Sequence, residues 1–467
     1  MKTDVEEIQL DLADELRRAV AAYLPDRQII TFSAAMEVMP KGTAEQRGLK
    51  EDEIGYFFHE WIHYLHNVST IHGITAFANL VELWGAFRAT ADCNGFGEGQ
   101  GPSSHLEGWR VEERLKLFMT TRGSAATRLP SSATPDRCRV ISYSPASREG
   151  LGRDQISMIM VVSNEEGETT EIETRVGAHE ILESVAMLLE HRVVQALGGE
   201  RTGVSSVVPY HALVLLSKHV APSLTEEEVL MCGLASLHST FPADALGKFL
   251  PDCNAVAEAG GSVRQRIKAV ALAQLEHHKI DVQRLLDRID SVFKPEFGFG
   301  RAAQEVVSIM RRNLEARFAS PFFELDLISR VKAEGSLGFD SLMTEIMKTH
   351  GICGCKQERV GGRDELARDD LFEFAVVSGD SELTELRRIM QASFDFLSRH
   401  FTTTGILLAT EALKPRECLF YTSCRLPLRS EREDDCRSRP WLAAIAEGDR
   451  CWYGAGVLQF RRVGSAP

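Results

Sequence analysis

Residues 57–73 read FFHEWIHYLHNVSTIHG. His59, Glu60, His63 and His66 fall within eight residues that are otherwise mostly large and apolar. Buried polar atoms need partners, so a core-like helix carrying four such side chains calls for a chemical reason. Residues four apart share one helix face, and His59 and His63 can therefore present both imidazoles to one metal ion. Glu60 lies about 100° round the helix, beside that ion rather than among its ligands. Two histidines and an adjacent carboxylate are the parts of metal-activated water chemistry: the ion acidifies water, and the carboxylate takes the proton. Zn2+ is the expected ion, His59 and His63 the expected ligands, and Glu60 the expected general base.

The element that must position these groups is a helix over LKEDEIGYFFHEWIHYLHNV. Glu51, Asp52 and Glu53 supply the negative charge that suits its N-terminus, and Gly73 is the expected stop. ITAFANLVELWGAFRAT predicts a second helix with a wide apolar stripe. RQIITFSAAMEV (27–38) has a strand-like apolar core, and RVISYS (139–144) predicts a strand. ISMIMVVS and TTEIETRV, separated by NEEGE, predict a hairpin. A strong helix begins at about residue 178, and the chain from 206 to 350 is mostly helical, with Thr225 and Glu228 as a capping box. SELTELRRIMQASFDFLSRHF predicts one more helix. The expected class is α+β and helix-dominated, with a small sheet or hairpin and the strands concentrated before residue 180. Three segments are expected: a metal-binding catalytic core (1–205), a helical region (206–345), and a helical, cysteine-rich C-terminal region (346–467).

The HExxH stretch resembles the active-site helix of the zincin metallopeptidases, and the core would then be zincin-like. The resemblance implies zinc ligation by His59 and His63, with Glu60 as base and proton shuttle in peptide-bond hydrolysis. The metzincin form HExxHxxGxxH is not met, because His66 and Ser69 occupy its glycine and last histidine positions. Inverzincin order also fails, which leaves a gluzincin-like form whose third ligand is a glutamate on a later helix. Glu183 sits in Glu-Ser-x-Ala (183–186), which resembles the glutamate helix of many gluzincins. A small residue after the ligand, here Ser184, would let two helices approach closely. Glu82 is the alternative third ligand: its gap from His63 resembles aminopeptidase-type gluzincins, but NLVELWGAF reads as a core helix without that small residue. HEWIHYLHNVSTIHG with a cysteine-rich end is also similar to uncharacterised bacterial proteins.

Other groups are less determined. His179 and Glu180 imitate half of an HExxH motif and read as cleft-wall or supporting groups. His66 shares the His59/His63 face and either meets substrate or a carboxylate, or is a half-exposed polar residue. Tyr210 and His211 are available as donors to a developing oxyanion. Six of the ten cysteines follow residue 350. Gaps of one, five and eleven residues fit no zinc ribbon, yet Cys418, Cys424 and Cys436, with Cys353 or Cys355 as a fourth, could hold a structural metal. Unligated thiols in a reducing compartment are the bland reading.

The net charge of −14 argues against non-specific nucleic-acid or anionic-membrane binding. No run of eighteen apolar residues is present, and the acidic N-terminus lacks the form of a signal peptide; a cytoplasmic protein is expected. Its partner would be a peptide or protein substrate. The rival from another class is a non-catalytic module that keeps the metal-stabilised core and binds or regulates a partner. An intact Glu60 argues against that rival, because a structural site has no use for a base.

Overall fold

The computed structural model describes residues 21–33, 51–99, 129, 133–146, 154–164, 166–200, 206–351, 353–357, 370–373, 380–402, 407–446 and 451–461. These form a helix-dominated α+β structure with two small sheets. A short hairpin, β1 (Ala21–Leu24) and β2 (Ile29–Phe32), precedes the helix of interest, α1 (Glu51–Ser69). Phe57, Phe58, Trp61, Ile62 and Leu65 of α1 are all buried. Each such side chain contributes roughly 1.5–3 kcal/mol, which holds the helix firmly under its polar groups.

Helix α2 (Ile71–Thr90) follows after a single residue. The Thr70 hydroxyl accepts the Gly73 amide at 3.0 Å and donates to the His66 carbonyl at 2.7 Å. Gly73 therefore lies in the first turn of α2, where sequence reading expected a stop for α1. It is needed for closeness instead: a Cβ there would lie 2.3 Å from the His66 carbonyl oxygen. The strands β3 (Cys138–Ser144), β4 (Ile156–Ser163) and β5 (Thr169–Val176) form an antiparallel sheet, and β4–β5 is the hairpin expected from alternation.

Helix α3 (Ala178–Ala196) leaves β5 directly and packs against α1. Its first turn is closed by the Gly177 amide donating to the Glu180 carboxylate at 2.8 Å, so Glu180 is a capping group. Gly55 of α1 makes the close approach to α3. A Cβ there would meet Val194 at 2.7 Å and Glu190 at 3.3 Å.

A helical array follows: α4 (Ala212–Val220), α5 (Glu226–Ser236), α6 (Pro242–Glu258), α7 (Val263–Val292), α8 (Gly300–Ala319) and α9 (Phe323–His350). The Thr225–Glu228 capping box at α5 is present in both directions. Two strands then appear beyond residue 350, β6 (Gly354–Gln357) and β7 (Asp370–Glu373). Strand β6 pairs in parallel with β2, giving the order β1-β2-β6-β7. Five of the seven described strands lie before residue 180, as expected, and this sheet joins the first segment to the last. Helix α10 (Ser381–Ser398) is tied to the β1–β2 turn by Arg27 and Asp395 at 2.8 Å. The chain ends in short pieces: α11 (Leu428–Glu431), α12 (Glu433–Ser438), a 3₁₀ turn (Pro440–Ile445) and α13 (Trp452–Leu458). No helix among the described residues is long and apolar enough to cross a membrane.

Candidate metal centre

Helices α1 and α3 bring His59, His63 and Glu183 together. The two Nε2 atoms stand 3.1 Å apart; Glu183 Oε2 is 3.3 Å from His59 Nε2, and Oε1 is 3.4 Å from His63 Nε2. An ion with bonds of about 2.0–2.1 Å in tetrahedral geometry spaces its ligand atoms about 3.3 Å apart. The three side chains therefore match the donor set and the spacing of a zinc site. Among the described residues they are the only such group of histidine, cysteine and acidic side chains.

Glu190 supports His59 from behind. Its Oε2 is 2.9 Å from His59 Nδ1, the nitrogen that would carry the proton once Nε2 served as a ligand. Glu183 and Glu190 are seven residues apart, two turns of α3, so one helix face supplies both carboxylates. Ser184 is fully buried and makes two bonds of its own. Its hydroxyl donates to the Pro209 carbonyl at 2.9 Å and accepts the Leu213 amide at 3.2 Å. That clamp holds the segment carrying Tyr210, whose ring stands 6.0 Å from the His59 ring, edge to face.

The electrostatics divide the carboxylates by role. Burial works against a charged His59, but its bonds to Glu183 and Glu190 outweigh burial and raise its pKa to about 10. Burial also works against a charged Glu183, yet His63 and His59 hold it well below the ordinary carboxylate value. Glu60 goes the other way: burial raises its pKa, and His59, His63 and the Tyr23 amide offset only part of that. One carboxylate is held charged, as a ligand must be; the other is inclined to hold a proton, as a proton carrier must be. His59 and Glu60 are buried, whereas the Glu183 side chain is 18% exposed and that of His179 39%. The centre therefore opens to solvent on the Glu183–His179 side, with His179 Nδ1 3.8 Å from Glu183 on the rim.

The other candidates lie elsewhere. Glu82 faces α7, where it is paired with Arg288 (Nη2 to Oε2, 2.8 Å), so it is not drawn into the centre. His66 is buried rather than half-exposed, and its Nε2 meets Glu324 at 3.1 Å. Arg317 grips Glu324 with bonds of 2.6 and 2.5 Å and reaches Ser69 at 2.7 Å. His211 immediately precedes α4. Cys353 and Cys355 are buried at β6 and hydrogen-bonded to each other. Cys418, Cys424 and Cys436 instead line one cavity with Cys451.

Sequence reading missed Glu190, although its seven-residue spacing from Glu183 was a usable signal. It also missed Gly55, Arg317 and Glu324; the last two lie some 250 residues from α1 and leave no local mark. Compared with protein-family models, with curated proteins and with solved structures, the chain matches none.

Proposed function

We propose that this protein is a zinc-dependent peptidase of gluzincin type. The carrying observation is the convergence of His59, His63 and Glu183 at ligand spacing, next to a buried Glu60 whose carboxyl is inclined to hold a proton. Zinc bound there supplies a Lewis acid that polarises a carbonyl and makes water nucleophilic at neutral pH. Glu60 accepts the proton of the attacking water and returns it to the leaving amine. Glu190 keeps the His59 ring in its productive tautomer and orientation. Tyr210, whose ring stands 6.0 Å from that of His59, is the candidate donor to the oxygen that gains charge. The substrate enters from the exposed Glu183–His179 side.

Glu60→Gln tests this reading. The amide is nearly isosteric but cannot accept a proton, so fold and zinc content should persist while peptide cleavage falls by at least ~10²–10⁴-fold. The assay is a peptide library with wild type and variant at equal zinc loading. Equal cleavage by both proteins would contradict the role of Glu60, and cleavage by neither would favour a partner-binding module.

A further inference from the structure

The last fifty residues pose a separate problem. Between Leu413 and Trp452 the described chain contains only helices of four and six residues and one 3₁₀ turn. Such a segment has little regular structure of its own, and small irregular units commonly rely on a metal or disulfides. No disulfide is present at Cys418, Cys424, Cys436 or Cys451. Instead these four cysteines, from four separate pieces of the segment, line one cavity of about 20 Å³. The pieces are already knitted there: the Cys418 amide donates to the Cys436 carbonyl at 2.8 Å. Cys451 lies near enough to the other three to feel their charge.

Two further features suit ligand sulfurs. The Phe420 amide donates to Cys418 Sγ, and the Gly454 amide donates to Cys451 Sγ at 3.4 Å, from the first turn of α13. Burial raises the pKa of Cys418, Cys436 and Cys451, and these amide donors offset part of that at Cys418 and Cys451; the thiolate is the form that binds metal. Cationic groups also stand by: Arg399 acts on Cys418, Arg432 acts on Cys436, and Arg429 lines the cavity. They would offset the net negative charge of four thiolates around a divalent ion. The aromatic rings of Phe420 and Trp452, 5.7 Å apart, exclude water from the same wall.

We propose that Cys418, Cys424, Cys436 and Cys451 form a closed tetrathiolate site for one zinc ion, which holds the C-terminal segment together. Only the His59–His63–Glu183 atoms, among the described residues, already stand within 4.8 Å of one another; binding would require the four sulfurs to draw together around the ion. Binding exchanges thiol protons for the ion, with no redox change. The site is independent of the peptidase reading, and the test separates the two.

Full-length His59→Ala/His63→Ala protein, which lacks the first centre, is titrated with Co2+. One equivalent should bind with intense near-ultraviolet thiolate-to-cobalt charge transfer, be displaced by one equivalent of zinc, and vanish with Cys424→Ser/Cys436→Ser added. In wild type, zinc loading should protect four thiols from a maleimide, a count that needs no cysteine variant. Cobalt bound without that charge transfer, or the same number of reactive thiols with and without zinc, would overturn the assignment. Visible absorption accompanied by acid-labile sulfide would overturn it in favour of a cluster.

Discussion

Helix α1 carries two buried polar sets built from the same residue types, and they reach opposite solutions. At His66 the carboxylate of Glu324 is gripped by Arg317, which also bonds Ser69 and the Pro321 carbonyl. The fold supplies its own cation, and the set is closed. At His59 and His63 the partners of Glu183 are histidines, which are neutral in the ligand role. Part of that set faces solvent, and on the proposed function its cation would come from outside. On that reading, what separates a structural network from a metal centre on one helix is whether an arginine is included.

The largest expected effect breaks the closed set. Arg317→Met leaves Glu324 buried and uncompensated, which should cost about 3–5 kcal/mol in urea unfolding. Adding Glu324→Leu should restore much of that stability, because neither charge is then stranded. Zinc content of the folded protein should be unchanged in both. Loss of zinc with Arg317→Met would mean the two sets are one system.

Acid should also act on buried neutral histidines beside the closed set. Burial lowers the pKa of His72 to about 4 and, with Arg317 nearby, that of His238 to about 3. Their folded values lie below the unfolded value, so the unfolded chain binds more protons between them. The stability they contribute is complete above about pH 6.5 and is lost as pH falls from there towards about 4 and about 3. Urea unfolding at about pH 7 and about pH 4.5 should differ by on the order of a few kcal/mol. His238→Asn, which keeps a donor for the Pro321 carbonyl, should flatten that difference. An unchanged slope would assign the acid sensitivity elsewhere.

Two carboxylates on different helices sharpen the open set. Glu190→Ala removes the support of His59 Nδ1 and should weaken zinc affinity about 10–100-fold, measured by competition with a chelating dye. The smallest effect is expected from Glu82→Ala. Its Arg288 partner has a side chain 57% exposed, so the pair is worth roughly 0–1 kcal/mol and zinc affinity should not move. Zinc loss with Glu82→Ala and retention with Glu183→Ala would reverse the choice of third ligand.

What could be read from the sequence was local. The His59–Glu60–His63 spacing, the Glu-Ser-x-Ala helix, the β4–β5 hairpin and the Thr225 cap each rest on periods of two to seven residues. The β2–β6 pairing, the Arg317–Glu324 grip and the choice of Cys451 over Cys353 depend on contacts between distant segments, and no local period encodes them. Ser184 and Gly73 show a subtler limit. Each was identified as important from residue type, but its role depended on a neighbour: a loop for Ser184, a carbonyl for Gly73.

The most direct test is anomalous diffraction at the zinc edge from crystals of the full chain grown with zinc. The account expects a peak bonded to His59 Nε2, His63 Nε2 and the Glu183 carboxylate at about 2.0–2.2 Å. No peak there at saturating zinc, or a peak whose third protein ligand is not Glu183, would contradict it.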